Sequence, residues 1–195
     1  MTRGALVLAA FVVLAPGAAV AQAEPAPNGV ARRDVWLGAE LHGSFFGDLQ
    51  DRSTVLPRFG YGVRAGRRWG RYGLFGLVDR DHWIVSELDV EYVTGVLNLA
   101  LGGELLYAGG RVSASVAVGV SILLQDQVLD DRGATGLYVA IRPTSLRYPV
   151  LRRATVQLDL LSLVVEAPVL RHPVLVEVQY RVAVSVEYGL GASRW

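Results

Sequence analysis

The last segment of the chain alternates between apolar and polar residues over an unusually long run. Between 174 and 190, valine, tyrosine or leucine occupies one parity and charged or small residues occupy most of the other: Val174, Val176, Val178, Tyr180, Val182, Val184, Val186, Tyr188 and Leu190 against Glu177, Gln179, Arg181, Ala183, Ser185 and Glu187. A period of two is that of a strand with two unlike faces, and a helix of period 3.6 does not fit it.

The same alternation recurs in seven earlier segments, at 34–46, 58–69, 72–83, 91–107, 111–124, 135–142 and 154–166. It is least regular at 72–83 and at 154–166, where we place Val164 on the apolar face with Leu160. The clean runs reach about ten residues, against about 5 to 6 in a typical soluble sheet and roughly 9 to 11 in a strand that crosses a bilayer. The pattern predicts eight long strands.

Connector lengths alternate as well. Tight turns are predicted at Gly70-Arg71 and at 108–110, and longer loops at 47–57, 84–90, 125–134 and 167–173. This alternation is typical of outer-membrane barrels with both termini in the periplasm. Pro143 has no amide for a closed ladder, so the sixth strand is predicted to end near Arg142.

Hydropathy agrees with a barrel. Hydrophobic residues make up 52% of the 195 residues, yet no apolar stretch long enough for a membrane helix follows the first 23. A sheet in lipid must pair all its backbone groups, and only a closed barrel does so. We therefore expect an all-β, eight-stranded antiparallel up-and-down transmembrane barrel.

The first residues have the order of a secretory signal: one arginine, an apolar run, and small residues ending at Ala23. We predict a signal peptide at 1–23, a short periplasmic lead at 24–33 and the barrel domain at 34–195. The chain has no cysteine and no lysine, and with 19 basic and 18 acidic residues it lacks the basic surplus of a nucleic-acid-binding protein.

In these features the chain resembles the small eight-stranded outer-membrane barrels of Gram-negative bacteria, of the type of the transmembrane domain of outer-membrane protein A. The resemblance implies a cell outer membrane location and contacts with outer-membrane lipid, lipopolysaccharide and the outer-membrane assembly machinery. It suggests Trp195 as the terminal assembly signal, although Trp195 falls on the parity opposite to Tyr188. Aromatic residues near strand ends would form an interfacial girdle: Tyr61, Trp69, Tyr72, Tyr107, Tyr180 and Tyr188.

The polar parity predicts the contents of the lumen. An eight-stranded barrel has an interior just wide enough for side chains, and buried charges are tolerated when they are paired. We expect a plugged, charge-paired lumen without metal or cofactor, in which glycines of the second strand make room for arginines. Its charged members would be Glu40, Arg58, Arg64, Arg68, Glu104, Arg142, Asp159, Glu177, Arg181 and Glu187. The function predicted is non-enzymatic, structural or in surface interaction.

Three alternatives follow from the same residues. His42 and Ser44, with Glu40, are similar to the site of outer-membrane lipid A deacylases, in which histidine takes the serine proton and an acid orients the imidazole. A narrow channel would need fewer lumen charges. A soluble lipocalin-like barrel would have the same alternation with its apolar face turned inward.

Overall fold

The protein is described here from a computed structural model, which covers residues 35–48, 55–83, 95–125, 133–170 and 175–190. The predicted signal peptide, the lead segment, Trp195 and the central parts of the four longer loops lie outside the described residues. No helix within the described ranges has the length and hydropathy needed to cross a membrane.

Eight antiparallel strands close into one barrel in which every strand pairs with its neighbours in sequence. The strands are β1 (Val35–Asp48), β2 (Val55–Trp69), β3 (Tyr72–Trp83), β4 (Gly95–Tyr107), β5 (Val112–Gln125), β6 (Thr135–Pro149), β7 (Ala154–Val169) and β8 (Leu175–Gly189). The barrel closes because β1 pairs with β2 on one side and β8 on the other, so that Leu37 lies opposite both Ala65 and Tyr188. The predicted up-and-down eight-stranded fold is confirmed.

Three short connections lie at one end of the barrel, which we call the short-turn end. Gly70 turns the β2–β3 hairpin with a φ of 64°, and residues 108–110 form one 3-10 turn between β4 and β5. The first and last described residues also meet there, since the amide of Leu190 donates to the carbonyl of Val35 at 2.9 Å. The opposite end, which we call the loop end, carries the four longer connections.

The sixth strand does not end near Arg142, and that prediction is wrong. β6 continues to Pro149, because a β-bulge absorbs Pro143: the register with β7 passes from Ile141 opposite Leu163 to Thr144 opposite Leu161. At a bulge one residue is left out of the ladder, so its missing amide is not needed. The third short turn therefore spans only 150–153.

A second bulge, in β7, reverses the parity of that strand. Leu160 and Leu161 both face outward, at 51% and 49% exposure, and Ser162 and Val164 are both fully buried. The prediction that Val164 shares the outer face with Leu160 is wrong, because the inserted residue shifts the alternation by one.

Over most of the remaining strand length the alternation matches the two faces of the wall, and further register shifts lie at the loop end, at Gly95/Val96 and between Glu166 and Val169. Most large apolar side chains of the described residues point away from the barrel axis and are exposed, whereas charged and polar side chains point inward and are buried. A smaller apolar layer also lies inside, made of Trp36, Phe75, Leu77, Ala100, Ala117, Tyr138, Ala140 and Val164.

Candidate functional site

The most distinctive site in the described residues is the barrel interior. All ten predicted lumen residues point inward; nine are buried, and the side chain of Arg68 is 11% exposed. Strand alternation positions them, because residues two apart on each strand face the same side. The ion pairs among them form three levels along the barrel axis.

Near the loop end, two arginines share a buried group of acids. Arg58 donates through Nη2 to both carboxylate oxygens of Glu177, at 2.7 and 2.6 Å, and through Nη1 to Glu166 at 3.1 Å. Arg181 donates to Asp79 at 2.9 Å, to Asp81 at 2.7 Å and to Glu166 at 3.2 Å. Asn98 and Gln179 donate to Glu166 as well, so this carboxylate joins β2, β4, β7 and β8.

At the middle level, Arg142 holds two carboxylates. Its two terminal nitrogens donate to the two oxygens of Glu40, at 2.6 and 2.7 Å, and Nη1 also donates to Asp159 at 2.6 Å. The Nε of Arg64 lies 3.3 Å from Glu40, and its Nη2 donates to Ser185 at 2.9 Å. Charge-assisted, bidentate pairs of this kind are the strong hydrogen bonds of protein interiors.

At the short-turn end, Arg68 lies between Glu104 and Glu187. It donates to Glu104 at 2.5 and 3.0 Å and to both oxygens of Glu187 at 3.0 Å, and Arg147 also donates to Glu187. The guanidinium of Arg68 lies over the ring of Trp36, with its carbon 4.3 Å from the ring centroid. This stacking holds the side chain of Arg68 in place at the short-turn end, since an aromatic face attracts a guanidinium.

Sequence reasoning missed four charged members of the interior: Asp79, Asp81, Arg147 and Glu166. Parity alone does not place Asp79 and Asp81 inside, because both parities of β3 begin with apolar residues. The tight turn at Gly70-Arg71 was a usable signal, because it sets the register that places Asp81 opposite Gly60 and Asp79 opposite Gly62. Arg147 and Glu166 follow the two bulges, which no local pattern indicated.

The glycines of β2 make room for different side chains from those expected. A Cβ at Gly60 would collide with the imidazole of His42 and the carboxylate of Asp81. A Cβ at Gly62 would press on Asp79. These glycines therefore admit acids and a histidine, and the expectation that they accommodate arginines is wrong.

The candidate triad residues lie among these charges and are not assembled for nucleophilic catalysis. His42, Ser44 and Glu40 are each 2% exposed and face the interior. The Nε2 of His42 hydrogen bonds to Asp81 at 2.6 Å, whereas the hydroxyl of Ser44 has no hydrogen-bond partner among the described residues. Glu40 is held by Arg142 and lies 3.6 Å from the Nδ1 of His42.

The six predicted girdle aromatics all point outward and are 40% to 58% exposed. Trp69, Tyr72, Tyr107 and Tyr188 lie at the short-turn end, where Trp69 and Tyr72 are register partners. Tyr61 and Tyr180 lie higher on the wall, and Tyr180 pairs with Phe45. The outer surface thus carries aromatic residues at two heights.

A closed eight-stranded up-and-down barrel with an apolar outer wall and a charged interior has the architecture of small outer-membrane barrels. Among solved structures, the chain is similar to Neisserial surface protein A (NspA), with 12% identity and a TM-score of 0.56 over 80% of this chain and 97% of that chain. It is also similar to Ail, the attachment invasion locus protein of Yersinia pestis, with 9% identity and a TM-score of 0.54 over 80% of this chain and 99% of that chain. Ail in complex with the heparin analogue sucrose octasulfate matches with 10% identity, a TM-score of 0.51 and the same coverage.

No protein-family model and no curated protein matches the chain. At these identities the similarity to NspA and Ail is one of fold.

Proposed function

We propose that this protein is a non-enzymatic barrel of a Gram-negative outer membrane, exported by its signal peptide, that acts in a structural or surface-interaction role. The observation that carries the proposal is the inversion of its two faces: apolar side chains such as Leu101 and Leu74, at 77% and 61% exposure, cover the outside, while arginines and acids fill the inside. In water such a wall would be a large exposed apolar surface, which soluble monomers rarely have. In lipid it is the favourable arrangement.

The aromatic residues support a membrane position. Trp69 follows Tyr61 by eight positions, and Tyr188 follows Tyr180 by eight positions. With a rise of about 3.3 Å per residue and a tilt of about 40°, each pair spans roughly 20 Å of height, close to the ~25 Å apolar band of outer-membrane barrels. The six residues would then form the girdle at the two interfaces.

Cell fractionation tests the location. We expect the protein to sediment with outer membranes and to require detergent for extraction, and its folded form to migrate differently from its heat-denatured form on a gel. A protein that stays soluble without detergent after removal of the signal peptide would contradict the proposal and favour the soluble barrel.

We infer the orientation of the barrel in the membrane from the lengths of its connections. Short turns on the periplasmic side would leave both termini in the periplasm and the four longer loops outside the cell. The absence of cysteine makes this testable with single-cysteine variants. Ser53→Cys and Ser86→Cys, in two longer loops, should react with a membrane-impermeant maleimide on intact cells.

Arg71→Cys and Arg152→Cys, in two short turns, are the matched controls. They should react only after the outer membrane has been permeabilised. The reverse labelling pattern would overturn the orientation.

We further propose that the interior is plugged and does not conduct ions. The support is the continuity of the three ion-pair levels, which place buried side chains such as Arg58, Arg142 and Arg181 across the lumen. In planar bilayers the protein should give no stepwise conductance under conditions in which a general porin does. Regular single-channel steps from pure folded protein would support the narrow channel instead.

The lipid A deacylase alternative lacks support in the geometry, because His42 binds Asp81 and Ser44 faces away from lipid. Replacing Ser44 with alanine should leave the lipid A profile of the cells unchanged in mass spectrometry. A loss of deacylated lipid A in the Ser44→Ala strain relative to wild type would establish the enzyme.

We propose that the partners of this barrel are lipopolysaccharide at the loop end, membrane lipid around the apolar wall, and the outer-membrane assembly machinery, which would recognise the C-terminal strand and Trp195. NspA is named a surface protein, and Ail an attachment invasion protein. Deleting Trp195 should lower the amount of folded barrel in outer membranes, measured as the heat-modifiable fraction, if it is the assembly signal.

A further inference from the structure

A buried cluster of His42 and three acids contains two polar atoms that have no hydrogen-bond partner in the described part of the chain. His42 and Glu40 come from β1, and Asp79 and Asp81 from β3; all four are 2% exposed or less. Among the described residues, neither the Nδ1 of His42 nor the Oδ1 of Asp79 makes a hydrogen bond. Buried polar atoms are nearly always satisfied, so an orphaned pair facing one another needs an explanation.

The unpartnered nitrogen of His42 faces two carboxylates. The Nδ1 of His42 lies 3.6 Å from the Oδ1 of Asp79 and 3.6 Å from the Oε1 of Glu40. Two ligands of a tetrahedral ion with bonds of about 2.0 to 2.1 Å are separated by roughly 3.3 to 3.4 Å. The observed separations are too long for hydrogen bonds and within a few tenths of an ångström of a coordination shell.

Asp81 prepares the imidazole for this role. Its Oδ1 lies 2.6 Å from the Nε2 of His42 and accepts a hydrogen bond from a proton-bearing Nε2, so that in the neutral imidazole the lone pair of Nδ1 is directed at Asp79 and Glu40. A carboxylate behind a ligating histidine is the usual second partner in protein metal sites, because it sets both tautomer and ring orientation.

The charge inside the barrel agrees with a bound cation. The described interior contains eight carboxylates, Glu40, Asp79, Asp81, Glu104, Asp159, Glu166, Glu177 and Glu187, but only six guanidiniums, Arg58, Arg64, Arg68, Arg142, Arg147 and Arg181. With His42 neutral, two negative charges are in excess. One divalent ion would balance them, as would protons held between neighbouring carboxyl groups such as those of Asp81 and Glu166, since uncompensated buried charge is strongly unfavourable.

From these observations we propose a divalent transition-metal site in the barrel interior, with His42 Nδ1, Asp79 Oδ1 and Glu40 Oε1 as ligands and Asp81 as the group that orients His42. One imidazole nitrogen and two carboxylate oxygens suit ions such as Zn²⁺ or Mn²⁺. Glu40 can bind the ion while it accepts hydrogen bonds from Arg142, because each carboxylate oxygen has two lone pairs. The inference concerns the interior alone and is independent of the proposed location and surface role.

Burial determines how the site fills. Since the four side chains are almost inaccessible in the closed barrel, the ion enters while β1 and β3 come together across β2 and is then retained. Gly60, between these strands, admits His42 and Asp81 side by side.

The test is metal retention after refolding. The full chain is refolded from urea into detergent micelles with Zn²⁺ or with Mn²⁺, desalted, and analysed for metal per folded chain by mass spectrometry. We expect about one ion per wild-type chain. His42→Gln and Asp79→Asn should retain less than a tenth of that amount.

Asp159→Asn is the matched control, because Asp159 is equally buried and pairs with Arg142 and Gln157 without contacting His42. It should retain metal like the wild type. Wild-type protein that retains neither ion, or His42→Gln protein that retains as much as the wild type, would overturn the site.

A measurement on the wild type alone covers the case in which the variants do not fold. In ¹⁵N spectra of the His42 imidazole, zinc refolding should keep the proton on Nε2 and shift the Nδ1 resonance relative to protein refolded with chelator. Identical imidazole spectra in the two samples would also overturn the proposal, and would indicate a water molecule or a second imidazole proton between His42, Glu40 and Asp79.

Discussion

At the scale of single residues, the interior charges stabilise the barrel only as complete sets. Arg142 is 3% exposed and donates three hydrogen bonds, two to Glu40 and one to Asp159. A buried ion pair contributes little over apolar groups of the same shape, but removal of one partner leaves uncompensated charge. Arg142 has two such partners, which makes its removal the most informative single change.

Replacing Arg142 with methionine should lower the free energy of unfolding by about 3 to 5 kcal/mol, since two carboxylates lose their cation in a water-poor interior. Urea unfolding in vesicles, followed by the heat-modifiable gel band, measures the change. Arg111→Met is the control: Arg111 is exposed at the short-turn end, and its replacement should alter stability by about 0.5 kcal/mol or less. Equal stability of the two variants would mean that water reaches Glu40 and Asp159.

Gly60 and Gly43 form a matched pair of residues on opposite faces of the wall. A Cβ at Gly60 would lie 2.7 Å from the carbonyl oxygen of Arg80 and collide with His42, whereas the nearest atom to a Cβ at Gly43 is 3.9 Å away. Gly60→Ala should therefore destabilise the fold by about 1 to 3 kcal/mol through overpacking. Gly43→Ala should leave the urea midpoint nearly unchanged, and a similar loss in both variants would point to backbone effects instead.

At the scale of strands, the bulges at Pro143 and Leu160 both leave a backbone carbonyl outside the sheet ladder, and the same type of contact satisfies it. Each bulge exposes a carbonyl on the apolar face, and a tyrosine hydroxyl donates to it: Tyr107 to Pro143 at 3.3 Å and Tyr180 to Leu160 at 2.6 Å. In lipid no water is present to satisfy these carbonyls. Tyr107 and Tyr180 thus satisfy irregular backbone, in addition to the interfacial role proposed for them.

Tyr180→Phe should destabilise the barrel by about 1 to 2 kcal/mol in lipid vesicles, because the carbonyl of Leu160 loses its donor. Tyr107→Phe should have a smaller effect, since its hydrogen bond is longer. Tyr188→Phe, at the rim, is the control with an intact ring and no bulge carbonyl to satisfy. Three indistinguishable unfolding curves would show that these hydroxyls do not serve the bulges.

At the scale of the whole molecule, the inverted faces make stability depend on the surroundings. Val118 is exposed at 52% near mid-height of the wall, in register with Leu101 and Val139, while Leu151 lies in the short turn after β6. An apolar residue at mid-height contacts the hydrocarbon core, and one in the turn contacts water and headgroups.

Val118→Arg should therefore lower the free energy of unfolding in lipid vesicles by about 2 to 4 kcal/mol, and Leu151→Arg by about 1 kcal/mol or less. Urea titrations of both refolded variants measure the difference. If Val118→Arg were as stable as the wild type, its side chain would be in water, and the membrane position of the wall would be wrong.

The regular strands were predictable from sequence because their signal is local. In β2 and β8, each residue's face follows from its parity, so Arg58, Arg64, Glu177 and Arg181 could be placed inside without knowledge of their partners. The alternation gave wrong predictions at Pro143 and Val164. At both places a bulge adds one residue to a strand, and the alternation on either side of the bulge does not reveal it. In β3 the alternation could not tell the inner face from the outer face, because both faces carry apolar residues in the first half of the strand.

The sequence by itself determined the strand number, the tight hairpins and which parity is apolar, because a period of two and a short turn are properties of neighbouring residues. Only the tertiary structure decided the closure of β1 on β8, the parity shifts at the bulges and the partners of each charge. Arg142 and Glu40 are 102 positions apart, as are Arg181 and Asp79. Such pairs meet only once the sheet has curved into a ring, so no local pattern specifies them. The same closure reveals that Nδ1 of His42 has no hydrogen-bond partner within the described strands.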